Sequence, residues 1–561
     1  MSIIDAVVLI STLAFIVIYG SYKSRGSKNV TDFIKGGNEA KWWTVGLSVM
    51  ATQASAITFL STPGQAFNDG MGFVQFYFGV PIAMIVICMV FLPIYHKLNV
   101  YTAYEYLESR FDLKTRTLTA LLFLIQRGLA AGITIFAPAI VLSAVIGWDL
   151  FTLNIIIGVL VIIYTVTGGT KAVNVTQKQQ MAIIFAGMFI AFFFILHHLP
   201  DDISFNKALK IAGSSGKLEV LDFSFSFENR YTFWSGILGG TFLALSYFGT
   251  DQSQVQRYLS ARSLRESQMG LLFNGFLKVP MQFFILLVGI MVFVFYQFET
   301  APLNFNPAAQ NAVYESEYKS DYQDLEKELQ TIHLQKKSIA SQFGAISETN
   351  QFEVEQLQTE VALLNKKEFA IRDEAKALIK QADDTVETND KDYIFISFIL
   401  DFLPKGLVGL LLAVILSAAM SSTASELNAL ASTTTMDLFK RNIKTEKSDR
   451  YFLNASKLFT LGWGIFAIGF ACIAYLSDNL IQLVNIIGSI FYGNVLGVFL
   501  LAFFIKYVKA QSVFIGALIT QLIVLLVWYI DLMPYLWLNV FGSILVISIS
   551  LFLEFIQRNK A

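Results

Sequence analysis

The sequence predicts an all-α integral membrane protein with about thirteen membrane helices and one helical insert. Three observations carry this. Of 561 residues, 55% are hydrophobic and only 15% charged, and the mean hydropathy is +0.57. Apolar runs of about 20 residues, long enough to cross a bilayer, recur along most of the chain. The apolar pattern lapses at 302–392, where charged residues alternate with a heptad-like repeat. The chain therefore divides into 1–301, 302–392 and 393–561.

Hydropathy places spans near 3–22, 44–67, 72–96, 118–146, 150–168, 178–198, 232–256 and 268–297, and beyond the insert near 394–436, 452–476, 480–506, 511–530 and 534–556. The first, Ile3 to Tyr22, is followed by Lys23, Arg25 and Lys28 with no basic region before it, so it reads as a retained helix. Basic residues fall in alternate loops. Lys23, Arg25, Lys28, Lys35 and Lys41 share one loop, and Lys97, Arg110, Lys114 and Arg116 share another. Lys171 and Lys178, then Arg257, Arg262 and Arg265, then Lys440, Arg441, Lys444 and Lys447 continue the series. Lys506 and Lys509 follow, and Arg558 and Lys560 close it. The positive-inside rule then expects the N-terminus outside and the C-terminus in the cytoplasm, and the compactness of the chain suggests a bacterial inner membrane.

In the insert, Tyr318, Tyr322, Leu325, Leu329, Ile332, Ile339 and Phe343 step by threes and fours, as do Val354, Leu357, Val361, Leu364, Ile371, Ala375 and Leu378. This is a coiled-coil signature, and the turn-forming stretch between the two sets expects an antiparallel hairpin standing off the outer membrane face. It reads either as a solvated appendage or as an arm that docks a protein partner.

Several function classes are excluded. A formal net charge of −1 leaves no nucleic-acid footprint. Cys88 and Cys472 lie in apolar runs, and His96, His197, His198 and His333 show no metal-protease spacing. With no nucleophile–base pair and no phosphate loop, neither an enzyme nor an organic cofactor is expected.

The chemistry concentrates in small and hydroxyl-bearing residues inside spans. Ser417, Ser421, Ser422, Thr423 and Ser425 crowd one helix. Positions 418, 421 and 422 share a face. That face offers a carbonyl and two hydroxyls to a small hard cation, or else serves close helix packing. Ser48-Val-Met-Ala-Thr-Gln-Ala-Ser-Ala-Ile-Thr-Phe-Leu-Ser-Thr-Pro-Gly64 and Gly236 to Arg257 are apolar spans interrupted by polar and small residues. Such segments unwind where they line a cavity, and each opens one of two sets of five spans of opposite orientation. That is the arrangement of an inverted-repeat transporter.

Ser55-Ala-Ile-Thr-Phe-Leu-Ser-Thr-Pro-Gly64, Tyr101-Thr-Ala-Tyr-Glu-Tyr-Leu-Glu-Ser-Arg-Phe111, Phe136-Ala-Pro-Ala139, Gly168-Gly-Thr-Lys-Ala-Val173, Gly249-Thr-Asp-Gln252 with Val255-Gln-Arg-Tyr-Leu259, and Ser417 to Asp437 together resemble the sodium:solute symporter family. The resemblance covers nearly the whole chain outside the insert. It implies a LeuT-like five-plus-five inverted-repeat core and coupling to sodium. Carried over by motif, the sodium ligands are the carbonyls of Ala51, Ala54 and Ala418 and the hydroxyls of Ser421 and Ser422. Some members hold a second sodium with an aspartate where this chain has Gln177, which implies one coupled ion here.

The substrate-binding candidates are Thr58, Gln75, Tyr247, Lys278, Gln482 and Asn485. Lys278 is a charge inside a span, a functional signal by default. It resembles a lysine of sugar-carrying members, or it snorkels toward the inner membrane face. Tyr247 resembles an inner gate, or is packing. Arg127 and Glu426 lie at similar depth, and a structural pair is the preferred reading over Arg127 holding a substrate carboxylate. Phe78 and Thr58 depart from the sugar carriers, and the 55–63 run looks closer to the iodide, vitamin and monocarboxylate branch. The function expected is a sodium-coupled symporter importing a sugar or monocarboxylate-type solute by alternating access. A membrane sensor or scaffold working through the insert is the alternative.

Overall fold

The computed structural model describes residues 2–24, 36, 39–226, 229–345, 351–443, 447–473 and 479–560. Its described residues form helices and the turns between them, with one isolated bridge joining Ala40 to Ala261. In chain order the principal helices are α1 (Ile3–Ser24), α2 (Trp42–Gln53), α3 (Ala56–Asp69), α4 (Met71–Leu98), α5 (Leu113–Ile146), α6 (Leu150–His197) and α7 (Phe205–Ser214). There follow α8 (Ser235–Gly249), α9 (Gln252–Leu259), α10 (Leu264–Phe298), α11 (Lys319–Ala345) and α12 (Gln351–Ala382). The last are α13 (Leu407–Phe439), α14 (Asp449–Ile473), α15 (Leu480–Phe504), α16 (Ala510–Tyr529) and α17 (Tyr535–Lys560).

Among the described residues, nine helices are long and apolar enough to cross a membrane, or ten if α2 and α3 form one broken span. That is fewer than thirteen. Ile3–Phe15, Leu150–Ile163 and Ser235–Gly249 are apolar but short. Helix α6 runs without a break from Leu150 to His197. Within it Thr176–His197 qualifies as a span where 178–198 was expected, and Leu150–Ile163 is the shorter apolar segment within the expected 150–168. Lys171 and Lys178 therefore sit within a helix. Of the other basic positions, Arg25, Lys28, Lys35 and Lys444 lie outside the described residues.

Several helices begin where a side chain satisfies free backbone N–H groups. Asp112 accepts from the Thr115 N–H at 2.8 Å, and Asn479 from the Gln482 N–H at 3.0 Å. Asp5 does this across the fold, accepting from the N–H groups of Gly406 and Gly409 and so pinning α1 to the start of α13. At the far end of α13, Asp437 accepts from Arg116 of α5 at 2.8 Å and from Thr102 at 2.7 Å. Arg116 also pairs with Glu108 at 2.7 Å. Both ends of the hydroxyl-rich helix are thereby fixed.

The apolar stripes of α11 and α12 face each other, burying Tyr322, Leu325, Leu329, Ile332 and Ile339 with Leu357, Val361, Leu364, Ile371 and Ala375. Phe343 and Val354 lie outside the described side chains. The pair does not stand clear of the bundle, as the sequence suggested. Lys337 donates to the Phe298 carbonyl at 3.0 Å, and Arg372 donates to the Pro302 and Leu303 carbonyls at 2.9 Å each. Glu368 joins the two helices by pairing with Lys336 at 2.5 Å and Arg372 at 2.9 Å. Burial alone would raise the Glu368 carboxyl, but Arg372 and Lys336 outweigh it and hold it at about 2. Below the pair, Lys391 reaches Asp69 of α3 at 3.1 Å, and its carbonyl lies so close to Gly64 that a Cβ there would collide with it.

Candidate functional site

The run from Trp42 to Asp69 breaks at Ala54 and Ser55, and α2 and α3 meet at 60°. A break in mid-membrane frees backbone carbonyls that only a protein interior or a cavity can satisfy. Ala51 and Ala54 sit at this break, both buried, and α13 packs against both halves. On α13, Ala418, Ser421 and Ser422 are buried as well. The Ser422 hydroxyl donates to the Ala418 carbonyl at 3.0 Å, whereas the Ser421 hydroxyl is buried with no hydrogen-bond partner. An orphan hydroxyl in a protein interior calls for a further partner. The Gln177 amide binds the two elements together. Its nitrogen donates to Thr52 at 3.1 Å and Ser425 at 3.2 Å, and its oxygen accepts from Ser48.

Beside the break lies a narrow cavity of about 80 Å³, below the few hundred Å³ usual for small-molecule sites. Its wall includes Thr58, Tyr247, Asn485, Arg127 and Glu426 among the residues singled out from sequence. Arg127 and Glu426 meet at 3.0 Å. The Arg127 guanidinium lies 5.3 Å from the centre of the Tyr247 ring, and the Tyr247 hydroxyl accepts from Gln254 at 2.6 Å. The Thr58 hydroxyl is 3.5 Å from the Gln53 carbonyl, and the Asn485 amide donates to Ile481 at 2.7 Å.

The structure adds partners that the sequence reading missed. Asp251, in the turn between α8 and α9, accepts from Arg127 Nε at 3.1 Å and pairs with Nη2 as well. Tyr492 of α15 accepts from Arg127 at 2.7 Å and donates to Asp251 at 3.1 Å. The available signal was an acid within an interrupted span, a costly placement that asks for a partner.

Three substrate candidates lie off the cavity wall. Gln75 is spent on structure, donating to Gly72 and Tyr231 and accepting from the Asp222 N–H at 2.9 Å. Gln482 bridges Arg230 at 2.8 Å and Gln65 at 3.2 Å, beside Asn479. Lys278 is fully buried, with its ammonium 5.4 Å from the centre of the Tyr77 ring. Tyr77 lines the cavity; Lys278 does not.

The chain matches the family model of the sodium:solute symporters over residues 33–323 and 374–520, and the gap falls within α11 and α12. It is 29% identical over 505 residues to sodium-coupled monocarboxylate transporter 1 of Xenopus laevis, covering 90% of this chain and 68% of that protein. It is 25% identical to a sodium/sialic acid symporter of Proteus mirabilis (strain HI4320), covering 97% and 93%. It is 31% identical to the human sodium/iodide cotransporter over 278 residues, 48% of this chain and 42% of that protein. The solved structure of a sodium-coupled sialic acid symporter shares its fold, with a TM-score of 0.76 at 24% identity over 99% of this chain and 98% of the other. The chain belongs to the sodium:solute symporter family, and it is a multi-pass membrane protein that couples solute movement to sodium rather than an enzyme.

Proposed function

We propose that this symporter imports a small organic solute of the sugar or monocarboxylate type, one sodium ion per cycle, by alternating access across a bacterial inner membrane. The observation that supports the sodium site is the buried, unpartnered Ser421 hydroxyl on α13, a helix that packs against both α2 and α3. The carbonyls of Ala51, Ala54 and Ala418 and the hydroxyls of Ser421 and Ser422 form the ligand set, hard oxygens suited to a hard monovalent ion. Gln177 occupies its position with a neutral amide engaged by three hydroxyls, which supports a single ion.

The core is two inverted sets of five spans within thirteen, with the N-terminus outside, the C-terminus inside and α11 with α12 as an extracytoplasmic coiled-coil hairpin. Sodium entering from outside stabilises the outward-open state, solute binds beside the broken helices, and rocking of the two sets opens the cavity inward. The membrane potential contributes about 2.3 kcal/mol per charge per 100 mV. The docking of α11 and α12 onto the bundle weighs against a free arm for a protein partner, and so against a sensor or scaffold.

In proteoliposomes, Ser421→Ala and Ser422→Ala should raise the sodium concentration for half-maximal uptake about tenfold or more with little loss of folded protein. Unchanged sodium dependence in both variants would remove the assignment.

A further inference from the structure

Given the symport reading above, the polar groups of the cavity wall also select the solute. Arg127 is the one basic residue among those lining the cavity. Its Nε and Nη2 are held by Asp251, its Nη1 by Glu426, and Nη2 also donates to the Tyr492 hydroxyl. One buried cation thus faces two buried carboxylates, with side-chain exposures of 3% for Arg127, 0% for Asp251 and 7% for Glu426. A solute carboxylate would have to displace one of these and add a third negative charge.

The hydrogen-bond inventory points the same way. Several donors of the wall are already engaged. Thr52 and Thr134 donate to carbonyls of their own helices, the Asn485 amide to Ile481, and Tyr492 to Asp251. Acceptors are left over, for Glu426 Oε2 and Gln53 Oε1 are buried without a hydrogen-bond partner. A buried carboxylate oxygen is costly to leave unpaired, so the missing partner is a donor. An ammonium group is disfavoured as that donor, because the two aromatic faces that would hold it already carry cations: Arg127 over Tyr247 and Lys278 over Tyr77.

We infer that the solute is uncharged and rich in hydroxyls, and that Glu426 is a specificity-determining residue that accepts a hydrogen bond from one of those hydroxyls through Oε2. Carboxylates are excluded by the charge already buried around Arg127.

The test uses the full chain in proteoliposomes with an inward sodium gradient and a labelled panel of hexoses, inositol, lactate, pyruvate, sialic acid and choline. Sodium-driven accumulation confined to hexoses or inositol is expected. Glu426→Gln should then raise the half-saturating solute concentration about tenfold or more while leaving half-maximal sodium unchanged. Because that variant unbalances Arg127 and can fail to fold, the wild-type panel is decisive by itself. Gradient-driven accumulation of lactate, pyruvate, sialic acid or choline would overturn the inference and leave symport standing. Accumulation of nothing on the panel would overturn the organic-solute reading and this inference with it.

Discussion

Arg127 is the residue on which the buried charge of the cavity balances. Replacing it with Gln strands Asp251 and Glu426 in the protein interior. Removing one member of a buried ionic cluster costs about 3–5 kcal/mol, so Arg127→Gln should lose most of its folded yield, measured by size-exclusion chromatography in detergent. The depth of Arg127 and Glu426 could be read by counting along their helices, and their pairing was expected from it. Asp251 could not be reached that way. It is 124 positions from Arg127 in sequence, and only the bend between α8 and α9 brings them together. Lys278 shows the same gap from the other side, because its charge and depth mark it as functional but its direction around the helix takes it to Tyr77. Gly64 was quoted only as the end of a motif, yet it is where α3 meets the Lys391 carbonyl. A side chain there must push α3 away from the insert, so Gly64→Leu should lower both folded yield and uptake.

At the scale of elements, the heptads of α11 and α12 were legible because their apolar positions repeat. Their attachment to the bundle was not, since Lys337 grips the Phe298 carbonyl at the end of α10 and Arg372 ties α12 to the start of the insert through the carbonyls of Pro302 and Leu303. A carbonyl carries no sequence signature. The clasp has a pH dependence of known sign. Glu368 is held at about 2, below an ordinary glutamate, so its contribution is complete above about pH 4.5 and is lost as pH falls toward 2. Hydrogen-exchange protection in α11 and α12, taken relative to the intrinsic rate at each pH, should stay high from pH 7 to 5 and fall below about pH 4. In Glu368→Gln it should be low throughout. A profile indifferent to both changes would mean that the apolar seam alone holds the pair. In α6 the expected loop at Gly168 to Lys178 is helical, although Thr176–His197 still qualifies as a span of its own. Glycine is tolerated within a helix when neighbouring helices pack against it.

For the whole molecule, the expected stoichiometry is visible in transport itself. One sodium and an uncharged solute move one charge per cycle, so the ratio of charge to solute flux should be one and the sodium dependence hyperbolic. A sigmoidal dependence with a ratio near two would restore a second ion despite Gln177. Membrane character and family were open in the sequence because hydropathy and motifs are local properties. The count of spans was less so, since length and composition qualify nine or ten helices among the described residues and the rest depend on how short segments pack. The clamped insert also changes how this protein can be imaged. Small transporters give single-particle microscopy little to align on outside the detergent micelle. Here helices of 27 and 32 residues, roughly 40 and 48 Å long at about 1.5 Å per residue, are fastened to the bundle by charge and backbone contacts. They form a built-in fiducial, so particle orientations should be assignable without an added antibody fragment.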